Sequence, residues 1–168
     1  MKRLLLIPFL AFMLSSCNQS PKFDVALEDF KFSLEWGVYS DASYNSDTKV
    51  LVKTKRHHEK TAEDYTTKYT FPNMEELYNK VKAMNPYAYP DNFDPHESSN
   101  HVMSTPYETY KLTVNDKTIF IERFCITRDE VQLSKKGEKF FEVVDYISET
   151  IKNSKEWKNL PEPEYLYY

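Results

Sequence analysis

The stretch Glu108-Thr109-Tyr110-Lys111-Leu112-Thr113-Val114-Asn115-Asp116-Lys117-Thr118-Ile119-Phe120-Ile121-Glu122-Arg123 decides the fold. Tyr110, Leu112 and Val114 alternate with polar residues, and Ile119 and Ile121 alternate on the way back. A period of two is the signature of a half-buried strand. Asn115-Asp116 between the two runs reads as a two-residue turn. In that register Leu112 faces Ile119 and Tyr110 faces Ile121, so one face of the hairpin is apolar. Glu108 would face Arg123 as an opposite-charge pair of modest value.

Upstream of the hairpin the same period recurs. Phe32, Leu34 and Trp36 alternate with Lys31, Ser33 and Glu35. Asp41 to Asp47, rich in Ser, Asp and Asn, reads as a connecting turn. Lys49 to Lys55 reads as a second strand with Val50 and Val52 on one face. After a polar stretch from His57 to Asp64, Tyr65, Thr67, Tyr69 and Phe71 predict a third. Pro72 ends it. Asn73 is placed to cap a helix and Glu76 to complete a capping box. Met74, Leu77, Tyr78, Val81 and Met84 form its apolar stripe, and Pro86 stops it. Downstream, Phe140, Val144, Ile147 and Ile151 lie on one stripe of a second helix from about Ser134 to Asn153, with Gly137 weakening its first turn. The expected architecture is a single small α+β domain. Its antiparallel sheet has about five strands, in the order β-β-β-α-β-β-α, with two helices packed on one face.

The first residues carry a different message. Lys2 and Arg3 precede a run from Leu4 to Leu14 that is almost wholly apolar. Charge followed by about eleven apolar residues matches a secretory signal, and the run is shorter than the roughly 20 residues that span a bilayer. Leu14-Ser15-Ser16-Cys17 then resembles the lipobox of bacterial lipoproteins. That resemblance covers only the first 17 residues. It implies removal of residues 1–16, a diacylglycerol thioether and a further acyl chain such as palmitate on Cys17, and anchorage to a membrane. Residues 17–28 would be the lipidated cysteine and a polar tether carrying Pro21. Residues 29–160 would form the domain and 161–168 a tail ending Tyr165-Leu166-Tyr167-Tyr168. With Asn18 and Gln19 behind the cysteine and no aspartate directly after it, the resemblance points to the outer rather than the inner membrane. It leaves open whether the domain faces the periplasm or the cell surface.

Composition excludes several classes. Cleavage would leave about 150 residues, one domain with a real core, and would take the formal charge from −4 to −6 by removing Lys2 and Arg3. No basic stripe is present for nucleic acid. The chain has two glycines, Gly37 and Gly137, so neither a phosphate loop nor a dinucleotide turn can be built. No cofactor is expected. With Cys17 lipidated, Cys125 is the only free thiol, too few for a disulfide or a cysteine-cluster zinc site. Ser46-Asp47-Thr48-Lys49 matches S-x-x-K and Ser43-Tyr44-Asn45 matches S-x-N. Their order is wrong for penicillin-binding proteins, and both are read as chance.

The segment 86–107 is long and proline-rich, and such loops are functional or disordered. Tyr87, Tyr89, Phe93 and Tyr107 could stack on a sugar or anchor a protein partner. Equally they could fold back over the core. Asp91, Asp94, His96, Glu97 and His101 could hold a divalent cation, although a solvated acidic loop is the commoner outcome. Cys125 could act as a nucleophile beside one of the histidines 57, 58, 96 and 101, or serve as a small apolar residue. Taken together the residues favour a non-catalytic, membrane-anchored binding module with an envelope protein as partner. The alternative is an envelope hydrolase using Cys125 or a metal in the 86–107 loop.

Overall fold

The computed structural model describes residues 21–56, 62–97, 107–125 and 132–162. The signal and lipobox lie outside them, as do His57, His58, His101 and the last six residues. Six strands form one antiparallel sheet: β1 (Phe32–Val38), β2 (Ala42–Asn45), β3 (Val50–Arg56), β4 (Ala62–Lys68), β5 (Tyr107–Val114) and β6 (Lys117–Cys125). Their spatial order is β4-β3-β2-β1-β5-β6. Helices α1 (Met74–Met84), α2 (Lys135–Lys152) and the short α3 (Lys155–Lys158) complete the domain. This is the α+β class expected from the sequence, with one strand more. The extra strand, β2, lies inside the stretch read as a turn. Ala42 and Tyr44 point inward there, opposite Trp36 and Leu34, and two buried residues suffice to make Ala-Ser-Tyr-Asn a strand despite its polar composition. The strand after the polar stretch also starts earlier, at Ala62, and ends at Lys68. Tyr69 and Phe71 are buried beyond it, on the way to α1.

The hairpin forms with Tyr110 opposite Ile121 and Leu112 opposite Ile119. Asn115 takes a left-handed φ of 51° in the turn, which asparagine tolerates better than most residues. Beyond Tyr110 the register shifts, and Glu108 pairs with Phe124 rather than Arg123. A bulge supplies the extra residue on β6. No spacing in the hairpin itself announces it.

One face of the sheet is apolar along β1, β2, β5 and β6, and the helices cover it. Leu34, Leu112, Val114 and Ile119 are fully buried against Phe140, Val144, Ile147 and Ile151 of the expected α2 stripe. At one end of the core, Phe23, Phe30, Phe32, Phe71 and Tyr78 meet edge-to-face or tilted at 5–6 Å, the separation aromatic pairs prefer. Phe23 and Phe30 are both buried, so the core takes in side chains upstream of residue 29. Asn85 ties that segment down. It ends α1 in the left-handed conformation, accepts from the Phe23 amide at 3.1 Å and donates to the Pro21 carbonyl. The opposite sheet face is polar, with Glu35 and Lys111 paired across β1 and β5 at 2.7 Å.

Two local expectations are corrected. Asn73 does sit at the N-cap of α1, but its φ is 53° and its side chain makes no capping bond. Glu76 and Asn73 instead lie near the Tyr146 side chain on α2, whose pKa is raised by burial and then by the Glu76 carboxylate. Gly137 is more than a weak point in α2. A Cβ there would stand 2.3 Å from the Pro95 carbonyl oxygen, and only glycine lets the 86–107 loop approach so closely. Ser134 caps this helix, accepting from the Gly137 amide at 3.1 Å.

Candidate functional site

Of the 86–107 loop, the first candidate from sequence, residues 86–97 are described, and several of their side chains pack on the domain. Tyr89 is buried, its ring edge-on to Phe93 at 4.9 Å and its hydroxyl donating to the Lys136 carbonyl. Burial raises its pKa to about 12. Phe93 packs on Phe140. Tyr87 leans on Phe23 and donates to Asp116 at 2.7 Å, and the bond to that carboxylate raises its pKa. The loop backbone also covers the open edge of β6. Phe93 donates to the Phe120 carbonyl at 2.8 Å, and Phe120 donates to that of Asp91 at 2.7 Å. Covering an edge in this way blocks unwanted strand pairing. Of the four aromatics, Tyr87, Tyr89 and Phe93 therefore serve packing. The Tyr107 side chain lies outside what is described.

The acidic residues of the loop are similarly engaged. Asp91 pairs with Lys117, and Asp94 accepts from the His96 amide and meets its ring at 2.6 Å. Glu97 is exposed. Among the described residues no three His, Cys, Asp or Glu side chains converge on a point that could hold a metal ion. His101 is not among those residues. Cys125 ends β6 opposite Tyr107; its side chain and three of the four histidines are likewise outside them. Ser43-Tyr44-Asn45 is β2, and Ser46 to Lys49 is the turn into β3, where the Asn45 side chain accepts from the Asp47 and Thr48 amides.

A better-formed site lies on the other half of the molecule. A groove of about 820 Å³ runs between the β2–β3 turn, the end of β4 and the junction of α2 with α3. Thr48 and Lys49 form one wall, Lys68, Tyr69, Thr70 and Pro72 the second, and Thr150, Asn153, Ser154 and Glu156 the third. Its size suits a small ligand or a peptide segment. Two hydrogen bonds join the first two walls. Lys68 Nζ donates to the Thr48 carbonyl at 2.9 Å, and the Tyr69 amide donates to that of Lys49. Lys49 has a left-handed φ of 56°, a strained position for a lysine. The Tyr44 hydroxyl, buried under the groove, donates to the Tyr69 carbonyl and accepts from the Phe71 amide. Burial, reinforced by Tyr44 and Glu156 nearby, raises the Tyr69 pKa to about 12, so this ring is neutral. The Lys49 ammonium and the Thr70 and Asn153 side chains have no hydrogen-bond partner among the described residues. The groove thus offers a cation, a hydroxyl and an amide to an incoming polar chain.

Beside it, the register of β3 places Leu51 and Lys53 on the core face, opposite Tyr44 and Ala42. Val50 and Val52 lie on the other face. Lys53 is 2% exposed, its ammonium 2.9 Å from Glu162 and 4.5 Å from the centre of the Trp157 ring. Trp157 in turn stacks on Trp36 at 5.8 Å. Successive residues of α3 thereby touch both features, Glu156 the groove and Trp157 the buried lysine. Neither was apparent from the sequence. The run Val-Leu-Val-Lys is apolar on both faces at its start, and the turn geometry, not the local pattern, chooses which face goes inward.

No protein-family model matches this chain, and no curated protein is significantly similar to it.

Proposed function

We propose that this chain is a lipid-anchored binding module of the bacterial cell envelope, and that it recognises a polypeptide partner through the groove between β4 and the α2–α3 junction. The lipobox-like Leu14-Ser15-Ser16-Cys17 motivates the anchor. The observation that carries the recognition role is the groove itself: an open depression lined by apolar and polar side chains, among them a cation, a hydroxyl and an amide with no partner among the described residues. Polar side chains gathered along an apolar depression are what ligand sites use to orient a partner. The hydrolase alternative draws on Cys125 and on loop carboxylates that Lys117 and His96 already occupy.

Two measurements test the proposal together. Mass spectrometry of the membrane fraction should find acyl and glyceryl mass on Cys17, absent from a Cys17→Ala form. In-cell crosslinking should recover a discrete envelope protein, and the double charge reversal Lys49→Glu, Lys68→Glu should reduce that recovery at least ten-fold. An unlipidated Cys17, or recovery unaffected by the reversal, would count against the anchor or the groove respectively.

A further inference from the structure

Among the described residues Lys53 is the only lysine or arginine whose side chain is buried, and it occupies a position where the inward faces of β1, β2, β5 and β6 carry apolar residues. An ammonium has three donors. Among the described residues one acceptor lies within reach of this one, Oε1 of Glu162 at 2.9 Å. That acceptor is poorly held. The Glu162 side chain is 80% exposed, it stands between Pro161 and Pro163, and among the described residues no backbone hydrogen bond is made by residues 161 and 162. The rest of the ammonium's surroundings is aromatic: Trp157 lies over it and Trp36 backs Trp157. Aromatic faces hold a cation in place without neutralising it. The site therefore demands an anion, and the anion it has is supplied by an exposed side chain two residues beyond Leu160, which packs on the core.

We propose that Lys53, under Trp157, is the receptor for a carboxylate side chain of the partner polypeptide, and that Glu162 fills this receptor in the free protein. The inference rests on the binding-module reading and names the partner's chemistry: an acidic, extended peptide segment. Trp157 and the groove-lining Glu156 are neighbours on α3, so a segment lying in the groove reaches the receptor by displacing the Glu162 side chain. Because Glu162 belongs to the same chain, it competes at an effective concentration in the millimolar range. The partner must outbid it, which gives the site selectivity against stray carboxylates.

Trp36 and Trp157 are the only tryptophans in the sequence, so intrinsic fluorescence reports on this site alone. The experiment titrates the full chain with the peptide acetyl-Leu-Pro-Glu-Pro-Glu-amide and with its glutamine counterpart. The Glu162→Gln chain is expected to bind the glutamate peptide at least ten-fold more tightly than the unaltered chain and to ignore the glutamine peptide. Lys53→Met in the Glu162→Gln background should abolish the fluorescence change, and Lys53→Arg should preserve it. Circular dichroism confirms that each variant is folded. Should Glu162→Gln unfold, Glu162→Ala with an amine-acylation footprint is the second route, with Lys53 expected to react at least ten-fold faster than in the unaltered chain. Equal affinities with and without Glu162, binding that survives Lys53→Met, or a Lys53 amine still protected in both variants would overturn the proposal. Partner recovery that needs the groove lysines but is unchanged by Lys53→Met would overturn it while leaving the binding-module reading standing.

Discussion

The two halves of the sheet are built on different terms. Under β1, β5 and β6 the interior is aliphatic and aromatic, and residues such as Leu34, Leu112, Ile119 and Phe140 are completely buried. The one glycine of α2 is spent on bringing the 86–107 loop close. Under β3 and β4 the interior admits a lysine, a strained lysine sits in the turn before β3, and the short α3, followed by the proline-flanked Glu162, lies beside the end of α2. The first half maximises burial. The second gives up burial for polar groups that face a groove. Natural proteins break packing rules at functional sites and compensate elsewhere, and this division suggests which half is scaffold and which is instrument.

Substitutions can break that division. Leu112→Ala, in the scaffold half, should cost about 3 kcal/mol, read as a lower urea midpoint at unchanged slope. A smaller loss would mean that the core there is loosely packed. Gly137→Ala should cost about 2 kcal/mol, because its new Cβ must push the Pro95 carbonyl and the loop away from α2. Increased proteolysis within residues 86–97 would accompany it.

Alkali probes both halves at once. Tyr89 lies in the scaffold half and Tyr69 under the groove, and both have pKa values raised from 10.0 to about 12, chiefly by burial. The unfolded chain releases these protons near 10 while the folded chain keeps them, so stability falls as pH rises through this window. The loss should be about 1–2 kcal/mol per tyrosine, complete near pH 12, and each Tyr→Phe variant should remove its own share. Equal alkaline sensitivity in the double Tyr→Phe variant would contradict this assignment.

Lys53→Met tests the opposite sign. A buried charge loses hydration that one exposed carboxylate repays poorly, and an apolar replacement is commonly neutral or stabilising. The melting temperature should therefore rise, by the equivalent of about 1 kcal/mol, in the same variant that is expected to lose acidic-peptide binding. Destabilisation by this substitution would mean that Lys53 is a structural ion pair.

Much of the scaffold half was legible in the sequence and little of the other. The β5–β6 hairpin and the α2 stripe follow from periods of two and of 3.6 with turn residues in place, and that half is held by the local patterns a sequence displays. The bulge that moves Glu108 onto Phe124 leaves no such mark. Neither does the left-handed backbone of Asn73, which leaves its side chain without a capping bond. Beyond the anchor, the sequence directed attention to the aromatics of the loop, because aromatic residues outside a periodic pattern look unspent. Tyr89 and Phe93 turn out to be spent on the core. Lys53 looked like one polar residue in a short strand. Its inward orientation depends on pairing with β2, a strand hidden in what reads as a turn, and on residues 109 positions further along the chain.

The most direct test of this division is site-specific photocrosslinking in living cells, with the photoreactive side chain placed at Thr70 in the groove or at Lys111 on the polar sheet face. A discrete adduct from Thr70, and none from Lys111, is the predicted result. An adduct from Lys111 alone would place recognition on the opposite face and contradict the account.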